Sequence, residues 1–149
     1  MAAQDSIVIT SIARTPMGGM QGVLTPFSAS QLGAAAIKAA VERSGLKGAD
    51  VEEVIMGNVL AAGQGQAPAR QAARGAGLPD AAGATTINKM CGSGMKAIML
   101  AHDLLKAGSN KVMVAGGMES MTNAPYLLTK ARGGYRYGHG TVYYHMALD

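Results

Sequence analysis

The sequence predicts an α/β fold in which helices cover a largely parallel sheet. Three observations carry this. Short β-branched or apolar runs of strand length alternate with segments of helical periodicity up to about residue 120. A helical segment lies between successive strands, as parallel neighbours require. One helical segment is apolar over most of its circumference, which places it in an interior. At 48% hydrophobic and 15% charged residues, the chain has the composition of a globular protein rather than a disordered one.

The elements follow in order. Residues Ser6 to Ala13 contain Ile7-Val8-Ile9-Thr10, which reads as a buried strand that Arg14-Thr15-Pro16 stops. Met17 to Pro26 is a loop. Ser28 or Ser30 can cap a helix carrying Leu32, Ala36, Ile37, Ala40 and Val41, with Gly45 suited to its C-terminal turn. Glu53 to Leu60 holds Val54-Ile55-Met56 and reads as a second strand. Gly63-Gln64-Gly65-Gln66 is a turn, and Pro68 opens a short helix ending near Gly75. Ala84 to Met90 is a third strand. The next helix runs from about Gly94 to Ala107, with Lys96, His102, Asp103 and Lys106 as its narrow polar stripe. Lys111 to Ala115 is a fourth strand, closed by Gly116-Gly117. After Met121 the chain is rich in Gly, Tyr and basic residues without periodicity. A boundary is therefore expected there, giving 1–121 as one α/β unit and 122–149 as another.

Composition excludes several classes. A single cysteine rules out an intramolecular disulfide and suits a reducing compartment. Met1-Ala2-Ala3-Gln4-Asp5-Ser6 has neither a basic n-region nor an apolar h-region, and no apolar run is long enough to cross a bilayer. A cytoplasmic protein is the expectation. The net charge of +4 fits an anionic substrate without identifying one.

The lone cysteine has the most informative surroundings. Cys91 sits in Asn88-Lys89-Met90-Cys91-Gly92-Ser93-Gly94, after the strand run Thr85-Thr86-Ile87 and before the apolar helix. A thiol on a sharp strand-to-helix turn lies near the unpaired N–H groups and positive dipole end of a helix. Such a position favours the thiolate, the nucleophilic form. Gly92 and Gly94 leave room for a substrate carbonyl. The mechanics resemble the nucleophile turn of hydrolases with sulfur in place of oxygen. The alternative is a buried, inert cysteine.

Four segments together resemble the thiolases. They are Asn88-Lys89-Met90-Cys91-Gly92-Ser93-Gly94, Gly116-Gly117-Met118-Glu119-Ser120-Met121, Gly65-Gln66-Ala67-Pro68-Ala69-Arg70-Gln71-Ala72 and Ala13-Arg14-Thr15-Pro16. Within that family they are most similar to the biosynthetic acetyl-CoA acetyltransferases. The resemblance implies the first, N-terminal half of a layered α/β thiolase fold, incomplete, followed from residue 122 by the start of a loop domain. It implies reversible Claisen condensation of two acetyl-CoA to acetoacetyl-CoA and CoA. Cys91 is then the acyl-carrying nucleophile, and its backbone N–H a donor to the developing oxyanion. The implied assembly is a homodimer or homotetramer. No cofactor is implied beyond the coenzyme A thioester substrate, and the residues that contact it stay unassigned.

The same resemblance implies parts that this sequence does not contain: a Gly-His-Pro histidine that activates the cysteine, a Cys-x-Gly cysteine that handles the α-proton, and an Asn-Glu-Ala-Phe oxyanion motif. The family also supplies the last strand of the first half after the loop domain. The chain thus reads as an N-terminal thiolase fragment, inactive alone. Near its end, the resemblance leads one to expect an acidic residue at Tyr144 and a larger apolar one at Ala147. A ketoacyl synthase and a non-catalytic binding or oligomerising fragment are the alternatives.

Weaker signals lead elsewhere. His102 is eleven residues from Cys91 along the helix, about 16 Å at 1.5 Å per residue, and cannot reach the sulfur. His139 and His145 lie in the glycine-rich tail, are expected to be exposed, and match no zinc spacing. Arg132-Gly133-Gly134-Tyr135-Arg136 is a single RGG-like copy, better read as a solvated basic loop than as a nucleic-acid segment. Gly63-Gln64-Gly65 lacks the following Lys-Ser/Thr of a phosphate loop. Neither nucleic acid, membrane nor metal is expected as a partner.

Overall fold

The computed structural model describes residues 6–148. In chain order the main elements are α1 (Ala29–Ser44), β1 (Glu53–Gly57), α2 (Pro68–Gly75), β2 (Gly83–Ile87), α3 (Ser93–Lys106), β3 (Met113–Gly117), and the two-residue strands β4 (Tyr126–Leu127) and β5 (Tyr143–Tyr144). The first three strands form one parallel sheet in the order β2-β1-β3. This is the α/β architecture that the alternation in the sequence predicts.

Local chemistry sets the helix ends. Ser28, not Ser30, is the N-cap of α1: its hydroxyl accepts from Gln31 N, while Gln31 Oε1 accepts from Ser28 N. Ser30 is buried instead and donates to Pro68 O at 3.1 Å, tying α1 to α2. Gly45 ends α1 in the left-handed region at φ 75°. Ala69, Ala72 and Ala73 are all buried and let α2 approach α1 closely.

Alternation along β1 defines the layers. Val54 and Met56 face the cluster that holds Ile37 of α1 and Ala69, Ala72 and Ala73 of α2. Gly57 faces the other way, towards Ser93 of α3, and α3 packs on β1 and β3. Ile37 is among the largest fully buried side chains. Truncating it removes about three methyl or methylene groups from a packed site, so Ile37→Ala lowers unfolding free energy by about 3 kcal/mol. Denaturant titration checks this, and a loss under about 1 kcal/mol would place Ile37 outside the core.

The expected first strand does not form. Residues 6–19 carry no regular structure, and Ile9 is 77% exposed. This segment is held to α1 by side-chain bonds, Ser11 Oγ to Ala40 O and Arg43 Nη1 to Ile12 O. A β-branched run expresses a backbone preference, but a strand also needs an edge to pair with. One edge of β3 is taken by β1. The other faces a groove of about 560 Å³ with Ile7–Ala13 on its far side.

Other boundaries shift for visible reasons. β1 stops at Gly57 rather than Leu60, because Val59 and Leu60 give their N–H groups to the Glu119 carboxylate. β2 stops at Ile87, the partner of Gly57, and releases Asn88–Met90 into a turn. α3 is not enclosed. Ala97 and Ala101 are buried, while Met95, Ile98 and Met99 are exposed. Beyond Met121 the chain makes turns and the β4–β5 ladder, in which Tyr126 stacks on Tyr144 at 4.9 Å. Asn123 Nδ2 donates to Thr25 O and Phe27 O, tying the start of this stretch to the loop before α1.

Candidate functional site

The C-terminal ends of β1, β2 and β3 come together at Gly57, Ile87 and Gly117, paired in register. In open α/β sheets this is the end where ligands bind. Cys91 lies here, on the turn from β2 into α3, and is exposed. The thiol is therefore not buried.

Several hydrogen bonds build the turn. Gly92 N donates to Lys89 O at 3.1 Å and Ser93 N to Met90 O at 3.0 Å. Met90 has φ 48°, one of two non-glycine residues with positive φ among the described residues. Both of its backbone groups are clamped. Its N–H donates to Asn88 Oδ1 at 2.9 Å, and its carbonyl accepts from Ser93 Oγ at 2.6 Å. Ser93 Oγ also accepts from Lys89 N at 2.9 Å. The Cys91 N–H makes no hydrogen bond among the described residues and remains available as a donor.

Beside the turn lies a polar knot that sequence reasoning missed. Asn58 is 2% exposed, directly after β1. Its Nδ2 donates to Glu119 Oε1 at 2.7 Å and to Met118 O at 3.2 Å. The Glu119 carboxylate also accepts from Val59 N and Leu60 N, both at 3.0 Å. Gln64 Nε2 closes the knot on Asn58 Oδ1 and Leu60 O. One carboxylate thus satisfies three donors at the strand ends and fixes how the chain leaves β1 and β3. The available signals were an asparagine closing an apolar strand run and the glutamate in Gly116-Gly117-Met118-Glu119. Glu119→Ala leaves these donors without their acceptor and costs about 3 kcal/mol in unfolding free energy, while Glu119→Gln, which keeps one acceptor oxygen, costs less. Equal losses in denaturant titrations of the two would contradict this assignment.

No histidine hydrogen-bonds to Cys91 or its turn among the described residues. His102 is exposed on α3 with Nδ1 at 3.2 Å from Asp103 Oδ1. His139 is exposed, whereas His145, expected to be exposed as well, is half-buried beside the β5 strand because the two-residue ladder folds the tail back on itself. No group of three or more His, Cys, Asp or Glu side chains suited to a metal occurs among the described residues. No helix there is long and apolar enough to cross a membrane.

Comparisons with known proteins agree on one family. Residues 7–149 match the family described as "Thiolase, N-terminal domain". The chain is 59% identical over 134 residues to the mitochondrial acetyl-CoA acetyltransferase of Xenopus tropicalis, covering 90% of this chain and 31% of that protein. It is 52% identical over 143 residues to acetyl-CoA acetyltransferase 2 of Arabidopsis thaliana, covering 96% of this chain and 36% of that protein. It is 51% identical over 142 residues to a cytosolic acetyl-CoA acetyltransferase of Gibberella zeae, covering 95% and 36%. The chain spans about a third of the length of these relatives. With its match to the N-terminal domain over nearly its whole length, and its parallel sheet and cysteine turn, the chain belongs to the thiolase family.

Proposed function

We propose that this chain carries the acyl-transfer half of an acetyl-CoA acetyltransferase site, with Cys91 as nucleophile. The observation that carries the reading is an exposed cysteine on a strand-to-helix turn whose own N–H is unengaged. The names of the relatives supply acetyl-CoA as the substrate, and the thiolase reading adds acetoacetyl-CoA as the product. In the first step the Cys91 thiolate attacks the thioester carbonyl. A new carbon–sulfur bond forms to Cys91, the bond to the CoA sulfur breaks, and CoA leaves as a thiolate that takes a proton from water, which balances the proton Cys91 gave to water on ionising. The Cys91 N–H donates to the carbonyl oxygen as charge builds on it.

The second step, deprotonation of another acetyl-CoA and its attack on the acyl-cysteine, needs a base and a proton carrier. The exposed His102, paired with Asp103, is no candidate for either. The complete condensation therefore belongs to an assembly in which other residues supply these groups. A homodimer or homotetramer and a cytoplasmic location are part of the proposal, as is a division into an α/β half at 1–121 and the start of a loop domain at 122–149. The relatives bear both mitochondrial and cytosolic names. A non-catalytic role in binding or oligomerisation is the second reading, and the exposed apolar residues of α3 favour it.

Intact mass after incubation with acetyl-CoA separates the two. The acyl-transfer reading expects one acetyl group per chain, absent in Cys91→Ala. A chain that takes up no acetyl group supports the binding role.

A further inference from the structure

We infer that Ser93 is the positioning residue of the cysteine turn and that Gly57 exists to let it do so. The inference rests on the reading of Cys91 as the nucleophile and adds what holds it in place.

The argument begins at Met90. A left-handed backbone is costly for a residue with a Cβ and persists only where its surroundings over-determine it. Two side chains do so here: Asn88 takes the Met90 N–H, and Ser93 takes the Met90 carbonyl. Ser93 goes further than Asn88. By also accepting from Lys89 N at 2.9 Å, its hydroxyl bridges a donor and an acceptor from successive residues before the cysteine. Ser93 is the first residue of α3 and is 5% exposed. The hydroxyl is therefore a buried link between the incoming chain and the helix start. It holds Cys91 between them, at the N-terminal end of α3.

Gly57 supplies the space. A Cβ there would lie 2.5 Å from Ser93 Cβ and 2.8 Å from its carbonyl carbon, closer than atoms can pack. The end of the central strand is thus a glycine against which the first residue of α3 rests. The helix start and the sheet end are set as one unit, and the sulfur's position follows from both.

The test reads thiol reactivity rather than turnover. Second-order rates of iodoacetamide alkylation at Cys91 are measured on the whole chain from neutral to mildly alkaline pH. The variants are Ser93→Ala, Gly57→Ala, Ser93→Ala combined with Met90→Gly, and Ile37→Ala as a remote destabilised control. Ser93→Ala lowers the rate about fivefold near neutral pH, towards that of a free-thiol control. Gly57→Ala, where it folds, gives the same loss with the hydroxyl still present. Adding Met90→Gly to Ser93→Ala restores part of the rate, because glycine adopts the left-handed conformation without a clamp. Ile37→Ala loses stability but keeps the parent rate. An unchanged rate in Ser93→Ala, or an equal loss in Ile37→Ala, overturns the inference. Alkylation needs no thioester, so the proposal separates from the acyl-transfer reading. A parent chain that acetyl-CoA fails to acetylate, with Ser93→Ala still slow to alkylate, refutes acyl transfer and supports the positioning role.

Discussion

Purified alone, this chain condenses acetyl-CoA at least about 10⁴-fold more slowly than the acetyl-CoA acetyltransferases it resembles. The estimate rests on two missing proton-transfer groups, each worth about 10²–10⁴ in rate. The cysteine turn is formed, and the proposed first step draws on the Cys91 thiolate and an oxyanion donor. Carbon–carbon bond formation is different, because the α-proton of a thioester must be removed by a positioned base. No histidine hydrogen-bonds to the turn at Cys91 among the described residues. The assay is acetoacetyl-CoA formation, or its thiolysis in reverse, at matched protein concentrations. Rates within tenfold of those enzymes would mean that a base within this chain has been overlooked.

The second large effect is self-association. One edge of β3 has no strand partner among the described residues, and the groove beside it is lined by Ile7–Ala13 and the apolar side of α1. Met95, Ile98 and Met99 of α3 are exposed as well. Burying about 400 Å² of such surface contributes roughly 10 kcal/mol at ~25 cal/mol per Å². That is comparable to the ~4–15 kcal/mol cost of bringing two chains together. An open strand edge adds backbone pairing on top. Sedimentation should therefore show species larger than the monomer, and a dye that reports exposed apolar surface should bind. A soluble monomer that unfolds cooperatively and binds no dye would contradict this, and would require the groove to close by some internal rearrangement.

Much of the fold was legible because local signals and tertiary packing agree. Pro68 opens α2, Gly45 closes α1, and the apolar run Val54-Ile55-Met56 forms a strand, as its composition predicts. Legibility failed where the outcome depended on a partner. Ile7-Val8-Ile9-Thr10 has strand chemistry, yet it stays unpaired across a groove from β3, whose outer edge has no strand partner among the described residues, and propensity alone cannot report that. The face of α3 that reads as interior has nothing described against it, for the same reason. At the site, Cys91's place on the turn was readable from its flanking glycines and the helix that follows. The Ser93 bridge, the Gly57 contact and the Glu119 knot were not. Each joins residues from different elements, and sequence spacing carries no trace of which strand end meets which helix start.

The most direct test of Cys91 as an acyl-accepting nucleophile follows both products of the first step. The chain is mixed with acetyl-CoA, released CoA is quantified by chromatography, and the acetyl group is located by peptide mass mapping. A rapid release of one CoA per chain, with a matching acetyl group on Cys91 and neither in Cys91→Ala, is the predicted result. CoA release absent from the parent chain, or acetylation found only on lysines and unchanged in Cys91→Ala, would contradict it.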